Sequence, residues 1–231
     1  MIIRPPAQAH AALLPSESWQ GGLFLRCFVA LRAADLFAFG PGAPAREPED
    51  PLSRLSVESL ESSLKGAGGK LRFVKPDARH LTLRFLGDVE AFRGPEISKA
   101  LDEAVKGFKP FPVGVRGVGF FPNARRPKVI WVGIDDPEKR IGPLHREVEE
   151  CLAPLGFEKS AEGFVPHITL ARVKEVPPGD ALAQAVDPLV NSRFGWSQAS
   201  GVDFYESDLR PEGPVYRLVS KHLLPGAKEP R

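Results

Sequence analysis

Two histidines, each followed two residues later by a threonine, recur in this chain as His80-Leu81-Thr82-Leu83 and His167-Ile168-Thr169-Leu170. In each copy the polar pair alternates with aliphatic residues, the period-two pattern of a half-buried strand. Leu81 and Leu83, or Ile168 and Leu170, would then face a core while His and Thr share the other face. An imidazole moves protons near neutrality, and a threonine hydroxyl is a neutral hydrogen-bond donor. Two such strands facing each other gather two imidazoles and two hydroxyls around one small anion. In-line attack on a phosphodiester needs that set: one imidazole to deprotonate the nucleophile, one to protonate the leaving oxygen, and donors for the charged oxygens. Neither motif suffices alone.

The copies agree beyond the motifs. Phe73-Val74 and Pro76 precede the first, Phe164-Val165 and Pro166 the second. A lone histidine in an alternating strand reads most simply as a hydrogen-bonded structural residue. Two copies with threonine at the same offset read otherwise, because core packing has no reason to repeat a polar pair. Because the two sites are near mirror images, spacing leaves open which imidazole is acid and which is base. Each motif supplies one good metal ligand, so no zinc site is expected. There is no G-x-S-x-G elbow and no phosphate-binding G-x-x-x-x-G-K-[ST] loop. The chemistry requires no metal or nucleotide cofactor.

The elements that must position these residues follow from apolar patterning. Leu23 to Leu31, broken only by Arg26, is too apolar for an exposed edge and reads as a central strand. Asp50-Pro51 opens a helix with Leu52, Leu55, Leu60 and Leu64 on one face, ended by Gly66. Leu71 to Val74 and Arg79 to Leu86 are strands. Gly94-Pro95 opens a helix with Ile97, Leu101 and Val105 inward. Strands over Phe111–Phe121 and Lys128–Ile134 follow, then a helix with Leu144, Val148, Cys151 and Leu155 inward. The second motif strand spans Phe164–Val173, a weak helix Asp180–Val190, and strands Arg193–Tyr205 and Val215–Leu224 close the chain. Strand, helix, strand thus recurs in each half, with the histidines 87 residues apart. The expected fold is α+β: two similar lobes about a pseudo-two-fold axis, each a mostly antiparallel sheet with outer helices, and the site in the central cleft.

Outside residues 23–224, read as a single bilobal domain, residues 1–22 form an extension without sustained periodicity and 225–231 a tail. A proline-rich loop insertion covers about residues 40–51. The 231 residues carry 31 Lys+Arg against 29 Asp+Glu, a net charge of +2, so no global basic field draws a polyanion and any such contact must be local. Cys27 and Cys151 read as buried thiols. No apolar stretch reaches the ~20 residues needed to span a bilayer, and a cytoplasmic location with no membrane association is expected.

Taken together, these residues resemble the 2H phosphoesterases, in particular the RNA 2',3'-cyclic phosphodiesterase branch once called 2'-5' RNA ligases. The likeness includes Phe28-Val29-Ala30, Val74-Lys75-Pro76, Phe85-Leu86-Gly87, Gly117 to Asn123, Arg125-Arg126-Pro127, Trp131, Ala171-Arg172-Val173, Tyr205, Ser207, Leu209, Pro211, Gly213-Pro214 and Tyr216. It runs from about Leu23 to about Leu224. The insertion after Gly40 departs from the family, which passes straight into a helix there. The resemblance implies the family fold, with His80 as general acid, His167 as general base, and hydrolysis of a 2',3'-cyclic phosphate to a 2'-phosphate. The partner is RNA with such an end, tRNA fragments included, and a monomer is expected. Thr82 and Thr169 would donate to the phosphate oxygens. Arg172, farther along the second motif strand, is read on the face of His167 as a phosphate or base contact. Arg126, in a basic cluster with Arg125 and Lys128, either holds the RNA backbone or lies on a solvated turn. Phe164 either stacks on a base or packs in the core. His10, His145 and His222 match no motif. Two other readings stand beside hydrolysis: 2'-5' RNA ligation through the same site, and a nucleotide- or RNA-binding module without turnover.

Overall fold

The computed structural model describes residues 24–32, 57–161, 163–210 and 213–227. The expected 1–22 extension, the insertion at 40–51, the first turn of the first helix, His10 and residues 228–231 of the tail lie outside them.

Among the described residues nine strands pair into one sheet, and all the pairings are antiparallel. They are β1 (Phe24–Arg32), β2 (Lys70–Phe73), β3 (His80–Glu90), β4 (Phe111–Phe121), β5 (Val129–Asp135), β6 (His167–Glu175), β7 (Arg193–Ala199), β8 (Gly201–Arg210) and β9 (Gly213–Leu223). Across the sheet the order is β7-β4-β5-β6-β3-β1-β8-β9, with β2 paired to β6. The two motif strands, β3 and β6, are therefore neighbours at its centre. The two halves of the chain share this sheet, because the C-terminal β8 and β9 join the flank built on β1 and β3. The expected long strand over Arg193–Tyr205 is instead β7 and β8, broken at Ser200. Those strands lie far apart in the sheet order yet are joined by that one residue, so the sheet must curl until its flanks approach. Gly201 permits the closure: a Cβ there would stand 2.6 Å from the His222 carbonyl oxygen.

Four α-helices among the described residues cover one face: α1 (Val57–Gly66), α2 (Gly94–Val105), α3 (Ile141–Leu152) and α4 (Ala181–Val186). Each turns a 3.6-period stripe inward. In α2 this is the expected row Ile97, Leu101 and Val105. In α3 the row is Ile141, Leu144, Val148 and Leu152, all fully buried. Cys151 is only half-buried, because a helical period from Leu144 and Val148 falls on Leu152. These stripes share one core with Cys27, Val29, Leu81, Leu83, Ile168 and Leu170. The aliphatic residues of both motifs thus point into the core, as alternation requires. Burial pushes the Cys27 thiol up to about 12, which keeps it protonated and inert. Among the described residues no helix is long and apolar enough to cross a membrane.

The first motif is tied to α1 as well as to the sheet. Arg79, just before His80, is buried; its guanidinium bonds the Glu61 carboxylate and the Val74 carbonyl oxygen. Removing one member of a buried pair strands charge in a poor solvent. Glu61→Ala is expected to destabilise the fold by roughly 3 kcal/mol, measured by denaturant unfolding, and Glu61→Gln, which keeps an acceptor, by less.

Candidate active site

β3 and β6 meet at a single cross-strand pair, Leu81 with Ile168. β3 pairs with β1 along its other edge throughout, from His80 to Glu90, while beyond the contact β6 takes β2 as its partner through Phe73–Ala171 and Arg72–Arg172. The motif strands diverge from that one contact, which opens a cleft between them. The register at the contact sets His80 across from Thr169 and Thr82 across from His167. All four stand half-buried on the face opposite the core.

Both imidazoles are held in the same way. His80 Nδ1 lies 2.9 Å from the Ala78 carbonyl oxygen and His167 Nδ1 lies 2.7 Å from that of Val165. A carbonyl can only accept, so each Nδ1 carries the proton and donates it, and each Nε2 is left for chemistry. The local chain builds these acceptors. Pro76 starts a 3-10 turn that ends at Ala78, and Pro166 restricts Val165 before it. In both copies the accepting carbonyl belongs to the residue two before the histidine. The Thr82 and Thr169 hydroxyls make no hydrogen bond to the protein among the described residues.

The surroundings of the two rings differ. The His80 ring packs 4.6 Å from Phe28 and edge-on to Tyr216 at 5.0 Å, and Tyr205 stacks on Phe28 at 5.3 Å. Burial therefore pushes the His80 imidazole below its ordinary value; the Ala78 bond opposes this, and the positive fields of His167 and Arg172 add to it. Around His167 stand Phe121, edge-on at 4.8 Å, and Trp131 at 6.2 Å. Gly119 makes room for the indole, since a Cβ there would be 2.3 Å from it.

The register sets His80, His167, Thr82 and Thr169 on one face of the sheet, with Arg172 farther along β6 on that same face. Strict alternation would send Arg172, an odd number of residues from His167, to the core face. An extra residue at Leu170, between the Trp131–Thr169 and Ile130–Ala171 pairs, returns it to the site face. Arg126 lies exposed on the β4–β5 turn, its N–H donating to Asn123 Oδ1 at 3.1 Å; the hairpin reaches His167 through Phe121. Phe164 stacks on the His145 ring of α3 at 3.9 Å and packs against the core. Among the described residues no group of three or more His, Cys, Asp or Glu converges to hold a metal ion.

A family model, the 2'-5' RNA ligase superfamily, matches residues 48–200. The chain belongs to this superfamily. An RNA 2',3'-cyclic phosphodiesterase from Methanothermobacter thermautotrophicus is 34% identical over 160 residues, covering 69% of this chain and 86% of that protein. The crystal structure of TT0787 of Thermus thermophilus superposes with a TM-score of 0.62 at 24% identity, over 87% of this chain and 99% of the other. E. coli LigT complexed with 3'-AMP gives the same TM-score at 21% identity, over 87% and 99%. These structures share the fold.

In this superfamily member, reading the sequence for polar groups alone missed the aromatic bed of His80. Phe28 and Tyr205 are direct cross-strand partners, and Tyr216 reaches both Phe28 and His80. The usable signal was alternation along β1, which sets Phe24, Arg26 and Phe28 on the face opposite Leu25, Cys27 and Val29. With its pKa held low by burial, His80 is neutral at pH 7 in the free protein. Phe28→Ala admits water, and the His80 midpoint is expected to rise toward 6.5. A histidine NMR titration measures it; an unchanged midpoint would mean that the aromatic bed does not set it.

Proposed function

We propose that this chain hydrolyses the 2',3'-cyclic phosphate at an RNA end to a 2'-phosphate, with two imidazoles as acid and base and no metal ion in the chemical step. The observation that carries this reading is the pair of Nδ1-anchored imidazoles, each with Nε2 free, on facing strands. The relatives named RNA 2',3'-cyclic phosphodiesterase support it. His167 Nε2 takes a proton from water as its oxygen attacks phosphorus. His80, as imidazolium, gives its Nε2 proton to the departing 3' oxygen. Thr82, Thr169 and Arg172 hold the non-bridging oxygens and stabilise the charge that builds there.

Burial in the free protein favours neutral His80. A bound phosphodiester anion favours the imidazolium, so substrate itself loads the acid. The equivalence of the two motif strands fits two lobes related by a pseudo-two-fold axis through the Leu81–Ile168 contact. Both motifs come from one chain, so a monomer is a complete catalytic unit. Short RNA ends such as tRNA fragments suit a chain with no global basic field.

The test is incubation of purified protein, in the presence of a chelator, with an oligoribonucleotide ending in a 2',3'-cyclic phosphate. A 2'-phosphate product is expected, with turnover reduced at least about 10²-fold in His80→Ala and in His167→Ala. Binding without turnover by the wild type would contradict hydrolysis. Ligation would be the same displacement with an RNA 5'-hydroxyl in place of water, the hydroxyl proton going to His167 and the His80 proton to the 3' oxygen, and a joined 2'-5' product would identify it.

A further inference from the structure

The motif strands share one backbone pair, and a second tie joins them on the helix side of the sheet. β3 carries an extra residue at Leu83, between the Ala30–Thr82 and Val29–Arg84 pairs. A bulge resets the alternation, so Arg84, four residues after His80, lies across from buried Val29 and turns toward the helices. A cation on that face needs an anion. Glu149 of α3 supplies it: its Oε1 accepts from Arg84 Nη1 at 3.2 Å, and the two side chains are only 10% and 16% exposed.

The same carboxylate oxygen holds the approach to the other motif. It accepts from the Ser160 N–H at 2.9 Å, and Arg84 Nη2 donates to the Glu158 carbonyl oxygen. One turn back along α3, His145 Nε2 stands 3.8 Å from Glu149 Oε1, and its ring stacks on Phe164 at 3.9 Å with the planes 9° apart. Residues 157–161 and 163–166 lie outside helix and strand, so side-chain ties of this kind set their course. Phe164 is the last of them packed on the core before the anchor of His167. Val165, whose carbonyl oxygen takes the His167 Nδ1 proton, is itself 51% exposed.

We propose that Glu149 is a positioning residue for the reaction: from behind the sheet it ties Arg84 of the His80 strand to the chain entering His167, and so holds the Val165 carbonyl where it selects the His167 tautomer. The inference rests on the acid–base reading of the site. The two histidine anchors then differ in kind. The Ala78 carbonyl is fixed locally, by the 3-10 turn that Pro76 starts. The Val165 carbonyl takes its place from α3, through Glu149, His145 and Phe164. Loosening that approach removes the acceptor of the His167 Nδ1–H, and the ring divides between its two neutral tautomers. In the Nε2–H form the nitrogen facing the site has no lone pair to take a proton from water. The loss falls on the chemical step, because Glu149 and Arg84 lie on the opposite side of the sheet from the motif histidines.

Three variants test this: Glu149→Ala, Glu149→Gln, which keeps an acceptor for Arg84 and Ser160, and Phe164→Leu, which keeps an apolar side chain and carries the test should Glu149→Ala not fold. Long-range proton–nitrogen NMR on the free, histidine-labelled protein at mildly alkaline pH reads both rings without turnover. Wild type and Glu149→Gln are expected to keep Nδ1–H at His80 and His167, whereas Glu149→Ala and Phe164→Leu show the Nε2–H form at His167 and not at His80. On an oligoribonucleotide ending in a 2',3'-cyclic phosphate, Glu149→Ala is expected to lower kcat by about 10- to 10²-fold with KM held within about two-fold, and Glu149→Gln to restore it. An unmoved His167 tautomer in folded Glu149→Ala or in Phe164→Leu, an equal change at both histidines, or a fall in kcat that Glu149→Gln does not restore would overturn the proposal. The expected tautomer change without hydrolysis by wild type would leave the tie standing and sink the hydrolytic reading. Hydrolysis by wild type with an unmoved His167 would do the reverse.

Discussion

A single cross-strand contact, Leu81 with Ile168, governs the architecture of this site. Had β3 and β6 paired along their whole length, the two His-Thr faces would form a continuous sheet surface with no room between them. Had they not paired at all, nothing would fix the distance between the imidazoles. One pair does both, joining the motifs at a vertex and letting the strands separate beyond it. β2 takes the place of β3 beside β6 beyond the vertex, while β1 holds β3 along its other edge, and both β1 and β2 pack on the core. The curl forced by the one-residue link between β7 and β8 closes the same sheet from its far ends.

Within that vertex the two histidines share a tautomer and differ in surroundings. The carbonyls of Ala78 and Val165 impose the tautomer, and prolines in both approaches shape the backbone that presents them. The ring of His80 is backed by Phe28 and Tyr216, that of His167 by Phe121 and Trp131. Burial lowers proton affinity at His80, and an arriving anion restores it. On the proposed reading the site gains its acid when substrate is present, from electrostatics alone.

Much of this was legible in the sequence because it follows from period. The alternation of Leu81, Leu83, Ile168 and Leu170 assigned the core face of both motif strands, and Phe111–Phe121 was delimited by composition alone. What period could not reveal lies where period breaks. The bulges at Leu83 and Leu170 change which residues share a face without leaving a mark in hydropathy, and they decide the placement of Phe85, Arg84 and Arg172. The break at Ser200 is one small polar residue in a run that already mixes polar and apolar side chains from Arg193 to Tyr205. In α3 the inward row had two helical continuations, Cys151 or Leu152, and packing chose the larger aliphatic side chain. Phe164 stands just before β6 in the chain, yet its ring leaves that strand's site face to stack on His145. Such outcomes belong to tertiary packing, which a linear pattern does not contain.

The central claim is that two Nδ1-protonated imidazoles present their Nε2 atoms to one phosphate. Long-range proton–nitrogen NMR on histidine-labelled protein, titrated with a 2'-phosphate mononucleotide, tests it most directly. The account requires the Nδ1–H form at both His80 and His167 in the free protein at neutral pH, and Nε2 shifts at both rings that follow one shared saturation curve. An Nε2–H tautomer at either ring, or two rings saturating with different affinities, would contradict it.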